Sequence, residues 1–174
     1  MDIDLKTFIR DVPDFPNQGI LFKDITPLLR DGNAFAASVE ALAGPYSDAG
    51  LVAVAAVEAR GFIFAAAVAA RLDCGFIPLR KPNKLPSETA TVEYVLEYGS
   101  DSIEVHRDAI QPGDRVAIID DVLATGGTAA AAVRLMDGLG ADLIGLSFLI
   151  ELEGLGGRRH LPDRQVHAVL KYTD

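Results

Sequence analysis

Between Arg115 and Thr128 the chain reads RVAIIDDVLATGGT, which sets two carboxylates, two hydroxyls and two glycines within nine positions of one another. Asp120 and Asp121 can accept hydrogen bonds from sugar hydroxyls, bind a metal or face a developing cation. They cannot serve a phosphate, which they would repel. Ala124, Thr125, Gly126, Gly127 and Thr128 have the opposite character. The glycines let the backbone turn tightly and approach a ligand, and the unpaired N–H groups at the start of the following helix form a seat for an anion. Charge-assisted hydrogen bonds contribute roughly 1.5–3 kcal/mol each, so a few donors around one phosphate can anchor a small ligand.

These residues need a strand before them and a helix after them. Val116 to Ile119 is a continuous apolar run, suited to a strand buried on both faces of a parallel sheet and ended by the two carboxylates, and the alanine-rich stretch 129–139 suits a helix. A second unit of the same kind lies upstream. Leu51 to Val57 reads as a strand, Glu58 to Gly61 as a polar turn and Phe62 to Leu72 as a helix. In open α/β sheets ligands collect at the carboxyl ends of strands where connections diverge, which brings Arg60 to the same rim as Asp120. A guanidinium there can hold an anion. Phe76 to Leu79 reads as a third strand, delivering Arg80, Lys81 and Lys84 to the rim, where three neighbouring cations call for solvent, acidic partners or a polyanionic ligand.

The remaining segments are read more coarsely. Asp4 to Val12 is expected to form a helix with Asp4 as N-cap and Pro13 as its stop. Residues 13–29 are expected as an ordered loop in which Phe22 could stack on a flat ring. Phe35 to Leu42 reads as a helix closed by Gly44-Pro45. TVEYVLEY and SIEVH, separated by Gly99-Ser100-Asp101, read as a hairpin outside the main sheet, with Glu93 and Glu97 on one face. Leu143 to Ile150 and Val166 to Lys171 complete the strands, with a short loop or helical turn at 154–160.

Length and composition bound the answer. With 174 residues, 49% hydrophobic and 24% charged, the chain fits one globular α/β domain spanning 1–174. A net charge of −9 argues against a nucleic-acid or anionic-membrane partner and leaves a small anionic ligand for the local basic segment. Cys74 is the only cysteine, the three histidines show no metal-ligand spacing, and the N-terminus does not read as a signal peptide, so the expected location is cytoplasmic. No apolar stretch reaches the roughly 20 residues of a membrane span. GxxxxGK[ST] does not occur, and the nearest approach to GxGxxG, residues 154–159, ends in arginine, which sets aside the common nucleotide loops.

Apolar strand, Asp-Asp and Thr-Gly-Gly-Thr together resemble the phosphoribosyl-pyrophosphate (PRPP) motif of type I phosphoribosyltransferases. EARGFIF, RKPNKLP, YVLEYGSDSIEVH and the opening PDFPNQGILFKDITPLL extend the likeness to the adenine phosphoribosyltransferase family over nearly the whole chain. That resemblance implies a Rossmann-like, mostly parallel sheet flanked by helices, with a base-binding segment at 1–33 and a flexible flap at 82–107. It implies the reaction of adenine with PRPP to give AMP and pyrophosphate, with Mg2+ carried mainly by PRPP, in a homodimer. Ala124 to Thr128 would hold the 5′-phosphate and Asp120 and Asp121 the ribose hydroxyls. Arg60, Arg80, Lys81 and Lys84 would bind pyrophosphate, the last three across a dimer contact. Glu97 matches the catalytic carboxylate near the base, and Leu21, Phe22 and Lys23 the adenine side, Lys23 through its backbone. Two alternatives use the same pocket: a PRPP or nucleotide sensor, expected to carry an added module or to lose Glu97 or the basic segment, and a transferase for xanthine, hypoxanthine or guanine.

Overall fold

In the computed structural model, which describes residues 3–96 and 99–173, a five-stranded parallel sheet carries the fold. Its strands are β3 (Ala53–Val57), β4 (Gly75–Leu79), β7 (Arg115–Leu123), β8 (Asp142–Leu152) and β9 (Val166–Tyr172), in the spatial order β4-β3-β7-β8-β9. The central strand β7 is buried on both faces from Val116 to Ile119, as a continuous apolar run requires. It does not stop at the carboxylates, however. Val122 and Leu123 stay paired to Ile150 and Glu151 of β8, so Asp120 and Asp121 lie within the strand rather than at its end.

Two apolar layers sandwich this sheet. One face is covered by α2 (Gly32–Ala43) and α3 (Arg60–Arg71), with Leu42, Phe64 and Val68 packed on Val54, Ala117 and Ile119. Helix α4 (Gly127–Gly138) covers the other face together with an antiparallel hairpin, β5 (Thr89–Leu96) and β6 (Gly99–His106). The hairpin forms its own two-stranded sheet, as the sequence suggests, but Gly99-Ser100-Asp101 belongs to β6 and pairs with Leu96, Val95 and Tyr94. Ile103 and Val105 are fully buried against the body, which gives the hairpin the apolar support a lone pair of strands lacks.

The N-terminal segment departs most from the expected helix over 4–12. Asp4 does cap a turn, accepting from the Lys6 N–H at 3.1 Å, but the turn is a 3-10 helix of Leu5–Phe8 only. Residues 10–13 form β1 (Arg10–Pro13), paired antiparallel with β2 (Leu21–Asp24), and a short α1 (Thr26–Arg30) follows. Cross-strand pairing of Val12 with Phe22 takes over what periodicity alone assigned to a helix. Pro13 ends β1, not a helix, and the expected loop over 13–29 contains the β1–β2 turn, a strand and a helix.

Candidate active site

The connections step across the sheet in opposite directions from β3 and from β7, which run parallel. From β3 the chain moves outward to β4, whereas β7 leads the other way to β8 and β9, so the gap at their carboxyl ends is the switch point of the sheet. A cleft of about 430 Å3 opens there, lined by Val57 to Gly61, Asp120 to Val122, Ala124 and Thr128. A smaller hollow of about 80 Å3 continues it into the loop 124–129. The two halves singled out in the sequence therefore meet.

On the β7 side, Gly126 has φ +88° and serves as the N-cap of α4 without a side-chain cap. Left-handed backbone of this kind favours glycine. A second constraint fixes the residue: a Cβ on Gly126 would lie 2.4 Å from the Gly157 carbonyl oxygen. The approach is reciprocal, since a Cβ on Gly157 would lie 2.4 Å from the Ala124 carbonyl oxygen. Gly157, in the 3-10 turn Gly157–His160, is thus the floor against which the phosphate loop rests. Helix α4 presents its positive end and free amides to the hollow, where an anion is favoured. Thr128, expected before the helix, occupies its first turn.

Asp120 and Asp121 occupy unequal environments. Burial, and then the neighbouring Asp121 charge, push the Asp120 carboxyl well above its ordinary range, against the Asp121 N–H that donates to its Oδ1 at 2.8 Å. Gly61 makes room for it: a Cβ there would stand 2.6 Å from Asp120 Oδ1. Asp121, 7% exposed, has Oδ2 at 2.8 Å from Arg60 Nε, close enough for an ion pair but not aligned as a hydrogen bond. Arg60 begins α3 and also sits over the Phe22 ring at 5.2 Å, while Phe22 packs edge-on against Phe15. One guanidinium therefore joins the acidic pair to the N-terminal aromatic wall.

The basic segment reaches the rim with every cation partnered. Glu58, at the end of β3, takes Lys84 Nζ at 2.8 Å and the Lys81 backbone N–H at 2.6 Å, with Arg80 Nε at 3.4 Å. The Lys84 hydrogen bond chiefly, against the cost of burial, holds the Glu58 carboxyl down to about 2. Lys81 turns its ammonium away from Glu58 to Asp101 and Tyr94 of the hairpin. Arg80 is tied to the same hairpin by a backbone bridge with Glu104, at 2.9 and 2.7 Å.

Of the residues assigned to the base, Leu21 is exposed and Phe22 half-buried beside Arg60. Lys23, one position on, faces the other way along the strand. Its side chain is 3% exposed, bonded to Asp11 at 2.9 Å and placed over the Tyr172 ring at 4.2 Å, so it anchors the hairpin to β9. Glu97 lies outside the described residues. Glu58, Gly61 and Gly157 were not assigned roles from the sequence. Glu58 offered a signal, a carboxylate at a strand end before Arg60, whereas the Gly157 contact joins segments 33 positions apart and has no local signature.

Comparison with known proteins agrees with this geometry. Residues 28–168 match the family model for the phosphoribosyl transferase domain. A protein of Acidothermus cellulolyticus described as adenine phosphoribosyltransferase is 56% identical over 163 residues, covering 94% of this chain and 92% of its own. The crystal structure of adenine phosphoribosyltransferase from Thermoanaerobacter pseudethanolicus superposes with a TM-score of 0.94 at 49% identity, covering 97% of this chain and 98% of the other. That of the Saccharomyces cerevisiae enzyme, complexed with an imino-altritol bisphosphate and adenine, gives 0.91 at 38% identity, covering 96% and 97%.

Proposed function

The chain belongs to the phosphoribosyl transferase domain family, and from that premise we propose how its cleft transfers the 5-phosphoribosyl group from PRPP to adenine, releasing pyrophosphate and forming AMP. The observation that carries the assignment is the meeting of the uncapped α4 start, Asp120-Asp121 and Arg60 around one cleft. Residues 1–174 act as one domain. The 5′-phosphate sits on Ala124, Thr125, Gly126, Gly127 and Thr128, and Asp120 and Asp121 take the ribose hydroxyls.

Departure of pyrophosphate leaves positive charge on the sugar ring. Carboxylates beside it stabilise that charge more than the neutral ground state, by about 4 kcal/mol for one ion pair at about 4 Å and an effective dielectric of about 20. This corresponds to roughly a thousandfold in rate. Arg60, Arg80 and Lys84 stabilise the leaving diphosphate, and Lys81 supports the same segment from the hairpin. Glu97 manages the proton on the imidazole edge of the base, while Leu21, Phe22 and the Lys23 backbone form its wall. The hairpin within 82–107 acts as a flap that excludes water.

Mg2+ would come in with the diphosphate and would supply positive charge to the leaving group, with the carboxylates of Asp120 and Asp121 lining the same cleft. The working unit is a homodimer, with the segment carrying Arg80, Lys81 and Lys84 at the contact. No helix of the described residues is long and apolar enough to cross a membrane.

A sensor or an oxopurine transferase is not favoured, because relatives matching nearly end to end are described as acting on adenine. Purified protein incubated with PRPP, Mg2+ and each purine separately tests the choice. Turnover with adenine is expected; turnover of guanine or hypoxanthine but not adenine would overturn it.

A further inference from the structure

Three cations within five positions repel one another, yet a diphosphate site needs them converging. Their neighbour just after β3 resolves this. Glu58 is 13% exposed and gathers two cationic side chains and one backbone N–H on a single carboxylate. Arg80 approaches it through Nε and Lys84 through one of three ammonium protons. Both keep spare donors: the Arg80 Nη fork and two ammonium protons of Lys84 remain for a ligand. The side chains of Arg80 and Lys84 are half-buried and exposed respectively, so those donors stay accessible.

We propose that Glu58 is a positioning residue for the diphosphate half of the substrate: it holds Arg80 and Lys84 side by side and remains in place when ligand binds. The inference rests on the PRPP reading of the cleft and deepens it. Two further features support a fixed brace over a counter-ion that ligand displaces. The Lys81 N–H bond ties the Glu58 carboxylate to the main chain as well as to the two cationic side chains. On its other side the segment is pinned to β6 by the Arg80–Glu104 bridge and by the Asn83 N–H, which donates to Glu104 Oε2 at 3.2 Å. With Glu58 neutralised, the two cations lose their common anchor and their mutual repulsion is uncompensated.

Because AMP has no diphosphate, it separates this role from general damage. Calorimetry of the full chain with Mg2+ compares PRPP and AMP on the parent and on Glu58→Gln, which keeps the side-chain shape. PRPP binding is expected to weaken about tenfold, and AMP binding to change less than twofold. In an Arg80→Ala/Lys84→Ala background, adding Glu58→Gln is expected to change PRPP affinity less than twofold. Equal weakening of both ligands, tighter PRPP binding, or the full loss persisting in that background would overturn the proposal. Should Glu58→Gln not fold, Glu58→Asp carries the test, with a smaller selective loss expected and parent-like PRPP affinity contradicting it. Failure of the parent itself to bind PRPP would instead sink the PRPP reading.

Discussion

Arg60 Nε lies 2.8 Å from Asp121 Oδ2 while the same guanidinium covers the Phe22 ring at 5.2 Å. The residue that begins α3 thereby touches both the acidic pair on the central strand and the aromatic wall of the N-terminal hairpin. In the proposed reaction these are the sugar side and the base side of one transition state.

Replacing Arg60 separates the two contacts. Arg60→Ala leaves a buried carboxylate oxygen without a cation and is expected to cost about 1–3 kcal/mol in urea unfolding. Arg60→Lys restores an ammonium for Asp121 but not a planar group for Phe22, so stability is expected to recover while KM for adenine stays raised. Full recovery of both by lysine would contradict the bridging role.

Asp120 is expected to trade stability for activity. Its carboxyl is raised in the folded state, chiefly by burial, so its stabilising contribution is complete below the unfolded-state value of about 3.9 and is lost as pH rises through the folded value. Asp120→Asn should therefore melt higher than the parent at pH 8, with the advantage shrinking towards pH 4. Turnover should fall about a hundredfold. A melting temperature at or below the parent's at pH 8 would be the contrary result.

Gly157→Ala tests the floor of the phosphate loop. The added Cβ would meet Ala124 O at 2.4 Å and Leu123 Cδ1 at 2.9 Å, and a backbone carbonyl cannot swing aside as a side chain can. Overpacking of this kind costs about 1–3 kcal/mol, and AMP affinity is expected to drop at least about tenfold. Gly154→Ala is the control, since its Cβ would stand 3.6 Å from the nearest atom, Thr173 O, and both quantities should hold. Parent-like AMP binding by Gly157→Ala would remove the floor from the account.

What could be read in advance follows the range of the interactions. The apolar run 116–119, the turn after β3 and the glycine loop are local patterns: the run forms the buried strand, and the turn and loop stand at the cleft, with the strand running past Asp121 and the helix starting at Gly127. The N-terminal strand could not be read so. Leu5, Phe8, Ile9 and Val12 suit a helix face, but the partner that recruits 10–13 into a hairpin lies ten residues away in β2. Lys23 shows the same limit at one residue: its side chain belongs to Asp11 and to Tyr172, and neither contact is visible from its neighbours. Glu58 looked like a turn residue because its partners arrive from after β4.

The central claim is that a ribose 5-phosphate docks with its phosphate on the amides at the start of α4 and its hydroxyls on Asp120 and Asp121. A crystal structure of the AMP complex tests this most directly. The account expects phosphate oxygens within hydrogen-bond reach of the Gly126, Gly127 and Thr128 N–H groups, with the adenine ring against Phe22. AMP seated with its phosphate on Arg80 and Lys84, or at another edge of the sheet, would contradict it.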